Sequence, residues 1–160
     1  MIDRIRIDPT SEEKDRNGTW ILVVDDHRAR LLCGRALGTG RLRRVRLDLV
    51  AEIENHWHDL QKPHARGNAE RAKEHLLRWT EFRQRFATEV GRWLLELVER
   101  HGIGSLEVFA PPRMAVMLRR EYGPDLAPRV SEQRIDVGNL RLERLESRPE
   151  VFALFHHAAG

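Results

Sequence analysis

Trp20-Ile21-Leu22-Val23-Val24-Asp25-Asp26 is a continuous apolar run that stops on two carboxylates. With β-branched residues inside it, the run predicts a central strand buried on both faces. Just downstream, Ala29 to Cys33 predicts a second strand, close enough to the first for a hairpin. Gly38-Thr39-Gly40 supplies the next turn, because glycine accepts positive φ. Val45, Leu47, Leu49 and Ala51 then alternate with Arg46, Asp48 and Val50, and Ile53 follows. Period two predicts a third strand with one more polar face. The opening therefore reads as a three-stranded antiparallel meander.

Further on, the stretch from Asn55 to about His75 breaks every pattern. It is polar and holds Pro63 and Gly67. A loop of that length inside one domain points to function. Trp79, Phe82, Phe86, Val90, Trp93, Leu94, Leu97 and Val98 then step by three and four, which predicts a long amphipathic helix. Trp79 and Trp93 fall on its core stripe. Arg83, Glu89, Arg92, Glu96 and Arg100 are assigned to its other faces, and Gly102 ends it. Leu106 to Ala110 reads as a short strand. Pro111-Pro112 open a helix whose core face is Met114, Val116, Met117 and Leu118, and Gly123-Pro124 stop it. Val130 to Val137 includes another strand. Leu140, Leu142 and Leu145 suggest a short helix capped by Asn139. Ser147 and Glu150 have capping-box spacing, and a last helix fits Val151 to His157.

Upstream, residues 1–18 read as a flexible extension with a candidate strand at Ile2 to Ile7, and residues 19–160 as one α/β domain. The order β-β-β-α-β-α-β-α predicts a mixed five-stranded sheet with helices on its faces. That element order is the one of ribonuclease H-like topology.

Composition agrees with one globular domain. The chain has 160 residues, 41% apolar and 33% charged, enough apolar material for a core and too much for disorder. The single cysteine, Cys33, excludes an internal disulfide framework and a cysteine zinc cage, and reads as a buried, inert thiol. No apolar run reaches the length of a membrane span, and the N-terminus lacks the apolar core of a signal peptide. The expected setting is cytoplasmic, with no membrane partner. Net charge is +3, and only Lys14, Lys62 and Lys73 among the 28 basic residues are lysine, so the basicity is almost all guanidinium.

Several strings resemble the bacterial host attachment family. They are Trp20 to Asp25 followed by Ala29-Arg30-Leu31, then Phe86-Ala87, then Leu106 to Arg113 with Leu118-Arg119. Asp136 with Leu140 matches the family's late Asp-Leu signal loosely. The resemblance covers roughly residues 19–145. That family is similar to the middle domain of the archaeal and eukaryotic peptide-chain release factor and of Pelota, and the resemblance implies a role near the ribosome. In release factors the long loop before the long helix carries Gly-Gly-Gln. Here no Gly-Gly-Gln occurs, and the nearest string is Arg66-Gly67-Asn68. Asn reaches less far than Gln and one glycine is missing. Positioning to about 1 Å governs catalysis, so peptidyl-tRNA hydrolysis is not carried over.

Two constellations point to RNA. From Arg28 to Arg46 there are seven arginines and no acid, a positive stripe suited to phosphates. Arg44 and Arg46 can align on one face, as can Arg28 and Arg30, and Arg43 lies beside them. In the polar loop, Lys62, His64, Arg66 and Asn68 suit phosphate or base edges, and Gly67 permits close backbone approach. His56 and His58 share one side of an extended segment. They, His64 and His75 raise a metal reading, but the ligand set is incomplete and Lys62, Arg66, Arg71 and Lys73 disfavour a cation. Neither a metal nor another cofactor is expected.

The resulting expectation is a non-catalytic, translation-associated module that binds the ribosome or structured RNA. Its contacts are Arg43, Arg44, Arg46, His56, His58, Lys62, His64, Arg66, Gly67 and Asn68. Two alternatives stay open. One is an enzyme: a diverged peptidyl-tRNA hydrolase using Asn68, or a metal nuclease using Asp25 with Glu52 or Glu54. The other is a protein-interaction adaptor linked to host attachment or stress. Against the nuclease, Asp25 and Asp26 also read as hairpin-turn residues, and the fourth strand ends in Ala110-Pro111-Pro112 rather than in an acid.

Overall fold

The computed structural model describes residues 18–38, 41, 44–56, 69–133, 146 and 148–156. Strand β1 is Thr19–Val24, β2 is Arg28–Leu37 and β3 is Arg44–Glu54. Helix α1, Ala69–His101, leads to β4, Leu106–Phe109. Helix α2 is Pro112–Glu121 and α3 is Gly123–Leu126, followed by a 3₁₀ turn at Ala127–Arg129. Strand β5 is Val130–Gln133 and helix α4 is Pro149–His156. The chain is mixed α/β, with one five-stranded mixed sheet in the order β3-β2-β1-β4-β5. β1, β2 and β3 pair antiparallel as the predicted meander. β4 pairs parallel to β1, and β5 parallel to β4.

β1 is buried on both faces, as its unbroken apolar run requires. Trp20, Leu22 and Val24 face α1 and α2, in a core with Leu31, Phe86, Val90, Leu94, Leu97, Met114 and Leu118. Ile21 and Val23 face the other way, toward Leu32, Val45, Leu47, Phe109 and Val151 of α4. Gly34 lies under that helix: a Cβ there would clash with Phe155 Cζ and Leu47 Cδ2. The missing side chain is what lets α4 approach β2. Cys33 is buried among the α1-side residues.

Three expectations need correction. Helix α1 begins at Ala69, well before Trp79, so the polar stretch is shorter than expected. Residues 69–78 are mostly Ala, Glu, Arg, Lys and Leu, good helix formers. The apolar stripe does not mark this part, because it runs past the sheet: at 1.5 Å per residue α1 spans about 50 Å against about 20 Å for β1. Leu77 there is 71% exposed. Secondly, Trp79 belongs to neither apolar core; Trp93 does. Thirdly, Val116, expected on the core face of α2, is 45% exposed, whereas Gly123-Pro124 ends α2 as expected. Gly123, at φ 61°, turns the chain, and Pro124 sits at the start of α3.

The expected strand at Ile2 to Ile7, the N-terminal extension to residue 17 and the helix at Leu140 to Leu145 lie outside the described residues.

Candidate functional site

The β2–β3 hairpin has two ends, and the functional candidates divide between them. At one end β1 turns into β2, β3 finishes, and α1 passes over. Asp25 builds that turn: its Oδ1 accepts N–H bonds from His27 at 2.7 Å and Arg28 at 2.8 Å. Its own N–H donates to the Arg28 carbonyl at 3.0 Å. One oxygen of the carboxylate in first place for a nuclease reading thus caps backbone amides, the turn role. Asp26 reaches across to α1. Arg83 donates from Nε to Asp26 Oδ1 at 2.8 Å and from its Nη2 to Oδ2 at 3.1 Å. This two-pronged pair is strong because the planar guanidinium matches a carboxylate. The Arg83 guanidinium also lies 5.7 Å from the centre of the Trp79 ring, within cation–π range.

Arg83 is therefore not on an outer face of α1, as expected, but is 8% exposed. Its spacing held the signal: it lies four residues after Trp79 and three before Phe86, on the inward stripe. Asn55 completes the end. It is buried, its backbone N–H donates to the His27 carbonyl at 2.7 Å, and its side-chain amide donates to the Asp26 carbonyl at 2.8 Å. His56 follows in an exposed turn. β1, β3 and α1 are thus stitched together by residues that the sequence reading did not single out for this purpose. β4 runs out beside this end into Ala110-Pro111-Pro112.

The opposite end of the hairpin carries charge of a different kind. β1 stops pairing at Thr19↔Gly34, so Arg35 to Leu37 and Arg44 to Arg46 extend past it. Arg35 stands directly opposite Arg46, and Leu37 opposite Arg44. Val45 and Leu47 point into the α4 core, so Arg44 and Arg46 point to the other face, and Arg35 with them. Arg44 is exposed, and Arg41 is exposed in the connecting turn. Arg46 makes one ion pair, Nε to Asp48 Oδ1 at 3.2 Å.

Arg28 and Arg30 also share a face, but the opposite face and the opposite end. Arg28 and Arg35 stand about 23 Å apart along β2. Arg28 lies 3.6 Å from Glu52. Arg30 is buried, and its pKa is lowered by burial first and by Arg28 second, against the pull of Glu52 and Asp25. The seven-arginine run is therefore two clusters, not one stripe.

Arg43, His58, Lys62, His64, Arg66, Gly67 and Asn68 lie outside the described residues. Of the expected contacts, Arg44 and Arg46 share the hairpin end, and His56 sits at the other end of β3. Among the described residues no group of three His, Cys, Asp or Glu side chains is placed to hold a metal ion. No described helix is long and apolar enough to cross a membrane.

No curated protein matches the chain. The family described as "Protein required for attachment to host cells" matches residues 20–137, from Trp20 in β1 to just past β5, leaving α4 outside. With that match over most of its length, the chain belongs to the family of proteins required for attachment to host cells.

Proposed function

We propose that this protein is a non-catalytic, translation-associated module that binds the ribosome or structured RNA in the cytoplasm. The observation that carries the reading is the hairpin end, where Arg35, Arg44 and Arg46 gather on one face, against Asp48, paired with Arg46, and Glu146, whose carboxylate accepts the Leu47 N–H at 3.0 Å. Guanidinium groups set on a rigid strand pair suit phosphate oxygens. The strand order β3-β2-β1-β4-β5, with an antiparallel meander and then parallel strands, supports a ribonuclease H-like fold similar to the release-factor middle domain. The use of Asp25 as a turn cap favours binding over nuclease chemistry. Residues 56–68, which hold Lys62, His64, Arg66, Gly67 and Asn68, are the second proposed contact.

Co-sedimentation with ribosomes and separated subunits over a salt series tests this. Saturable binding that weakens steeply with salt is expected. Absence of binding at low salt overturns it. The family description favours a second reading, a protein-binding role in host attachment. That reading predicts capture of a protein partner with no salt-dependent RNA affinity.

A further inference from the structure

We infer that Arg35, Arg44 and Arg46 form a seat for the phosphodiester backbone of RNA, gripping phosphates rather than bases. This rests on the RNA-binding reading above and names its site. Three observations carry it.

The first is register. Arg35 and Arg46 face each other across the hairpin, where like charges repel and cost stability. An anion between them removes that cost, so the pair is set for a ligand rather than for the fold. The second is spacing. Arg44 and Arg46 are two residues apart on one strand face, about 6.6 Å, on the scale of the distance between successive phosphates of one nucleic-acid strand. One phosphate fits between Arg35 and Arg46, and the next beside Arg44. The third is how little satisfies these groups. Arg35 Nε is shielded from solvent and has no acceptor among the described residues. Asp48 pairs with Arg46, whose side chain is 64% exposed, and Glu146 is engaged by the Leu47 N–H, so two acids stand against three arginines. The other face of the same hairpin end is closed by α4, with Phe155 over Gly34. The arginines thus project from a backed platform, which keeps a binding geometry fixed.

The test is the affinity of a labelled, mixed-sequence single-stranded RNA, measured over a salt series. It compares the wild type with Arg35→Gln, Arg35→Gln/Arg46→Gln, and Arg28→Gln as a control at the far end. The slope of log affinity against log salt should fall by about 0.7 for each seat arginine removed, with no dependence on base sequence. Arg28→Gln should leave the slope unchanged. Arg35→Gln should keep or raise the thermal midpoint, which separates lost binding from lost folding. If wild type binds and the double variant keeps its slope, the site falls while the RNA reading stands. An equal loss with Arg28→Gln also overturns the site, since bulk charge would explain it. Displacement of RNA by polyglutamate as readily as by unlabelled RNA overturns the backbone assignment in favour of an acidic protein. If wild type binds neither RNA nor ribosomes, both the reading and the seat fall.

Discussion

At one end of the β2–β3 hairpin, Arg83 from α1 is 8% exposed and holds both oxygens of Asp26. At the other end, Arg35 faces Arg46 in register, and its Nε has no acceptor among the described residues. The residue type is the same and the surroundings are opposite. Around Arg83 the acceptors are supplied by the fold: Asp26 is itself anchored through Asn55, which also ties down the end of β3. Near Arg35 the described acids are engaged elsewhere: Asp48 pairs with Arg46, and Glu146 accepts the Leu47 N–H. The difference teaches that counting arginines in a run says little. What matters is whether the fold brings acceptors to them. Where it does, arginine is structural. Where it does not, the charge is left without a structural role, and that is the charge the proposed seat would use.

The sharpest way to break the comparison is to remove the acceptor at the satisfied end. Asp26→Ala leaves the buried Arg83 guanidinium without its carboxylate. Removing one partner of a buried pair is strongly destabilising. Because the Asp26 side chain is 33% exposed, the expected loss is moderated to about 2–3 kcal/mol. Urea denaturation reads it directly, and a loss below 0.5 kcal/mol, about the size of an ordinary surface substitution, would mean that Arg83 finds water instead.

The next effect tests the backing of the open end. Gly34→Ala places a Cβ against Phe155 Cζ and Leu47 Cδ2. Overpacking of this kind costs about 1–3 kcal/mol. Phe155→Ala in the same chain should recover part of the loss, because it vacates the space. A double variant no more stable than the sum of the two singles would show that α4 does not rest on Gly34.

Tyr122 supplies a reference outside both ends. It is the chain's single tyrosine and is 5% exposed. Burial, with Glu132 second, pushes its phenol well above the ordinary 10.0, against a smaller opposite effect of Arg119. Above about pH 10 the unfolded chain loses that proton while the folded chain keeps it. Stability therefore falls as pH rises from there, and Tyr122→Phe should remove that part of the fall. Its hydroxyl is buried without a partner among the described residues, so the variant should lose little stability at neutral pH. Tyrosinate absorbance during alkaline titration checks the point: the signal should appear only with unfolding.

The smallest expected effect has the opposite sign. Arg35→Gln removes a like-charge contact with Arg46 and should raise stability by about 0.2–1 kcal/mol. A drop of similar size would mean that Arg35 is held by the fold after all.

The sheet was largely legible in the sequence because its signals are local. An unbroken apolar run marks the buried central strand, and alternation from Val45 to Leu49 marks a strand at the edge, although the bulge at Val50 turns Ala51 and Ile53 to the opposite face. The start of α1 was not legible from periodicity, since residues 69–78 run past the sheet and need no apolar stripe. The Asp26–Arg83 tie was not legible for another reason. It joins residues 57 positions apart, and only the crossing of α1 over the β1–β2 turn makes them neighbours. Arg35 was visible only as one of seven arginines. Its partner in register, Arg46, follows from a β-bulge between Leu31 and Leu32, which composition does not reveal.

The most direct test sets the two ends side by side: thermal midpoint and RNA affinity measured on Arg35→Gln and Arg83→Gln. The account predicts opposite responses. Arg35→Gln should lose affinity while its midpoint holds or rises. Arg83→Gln should lose midpoint while the folded protein keeps its affinity. If Arg35→Gln loses midpoint and keeps affinity, or if both variants change both quantities together, the division of labour between the two ends is wrong.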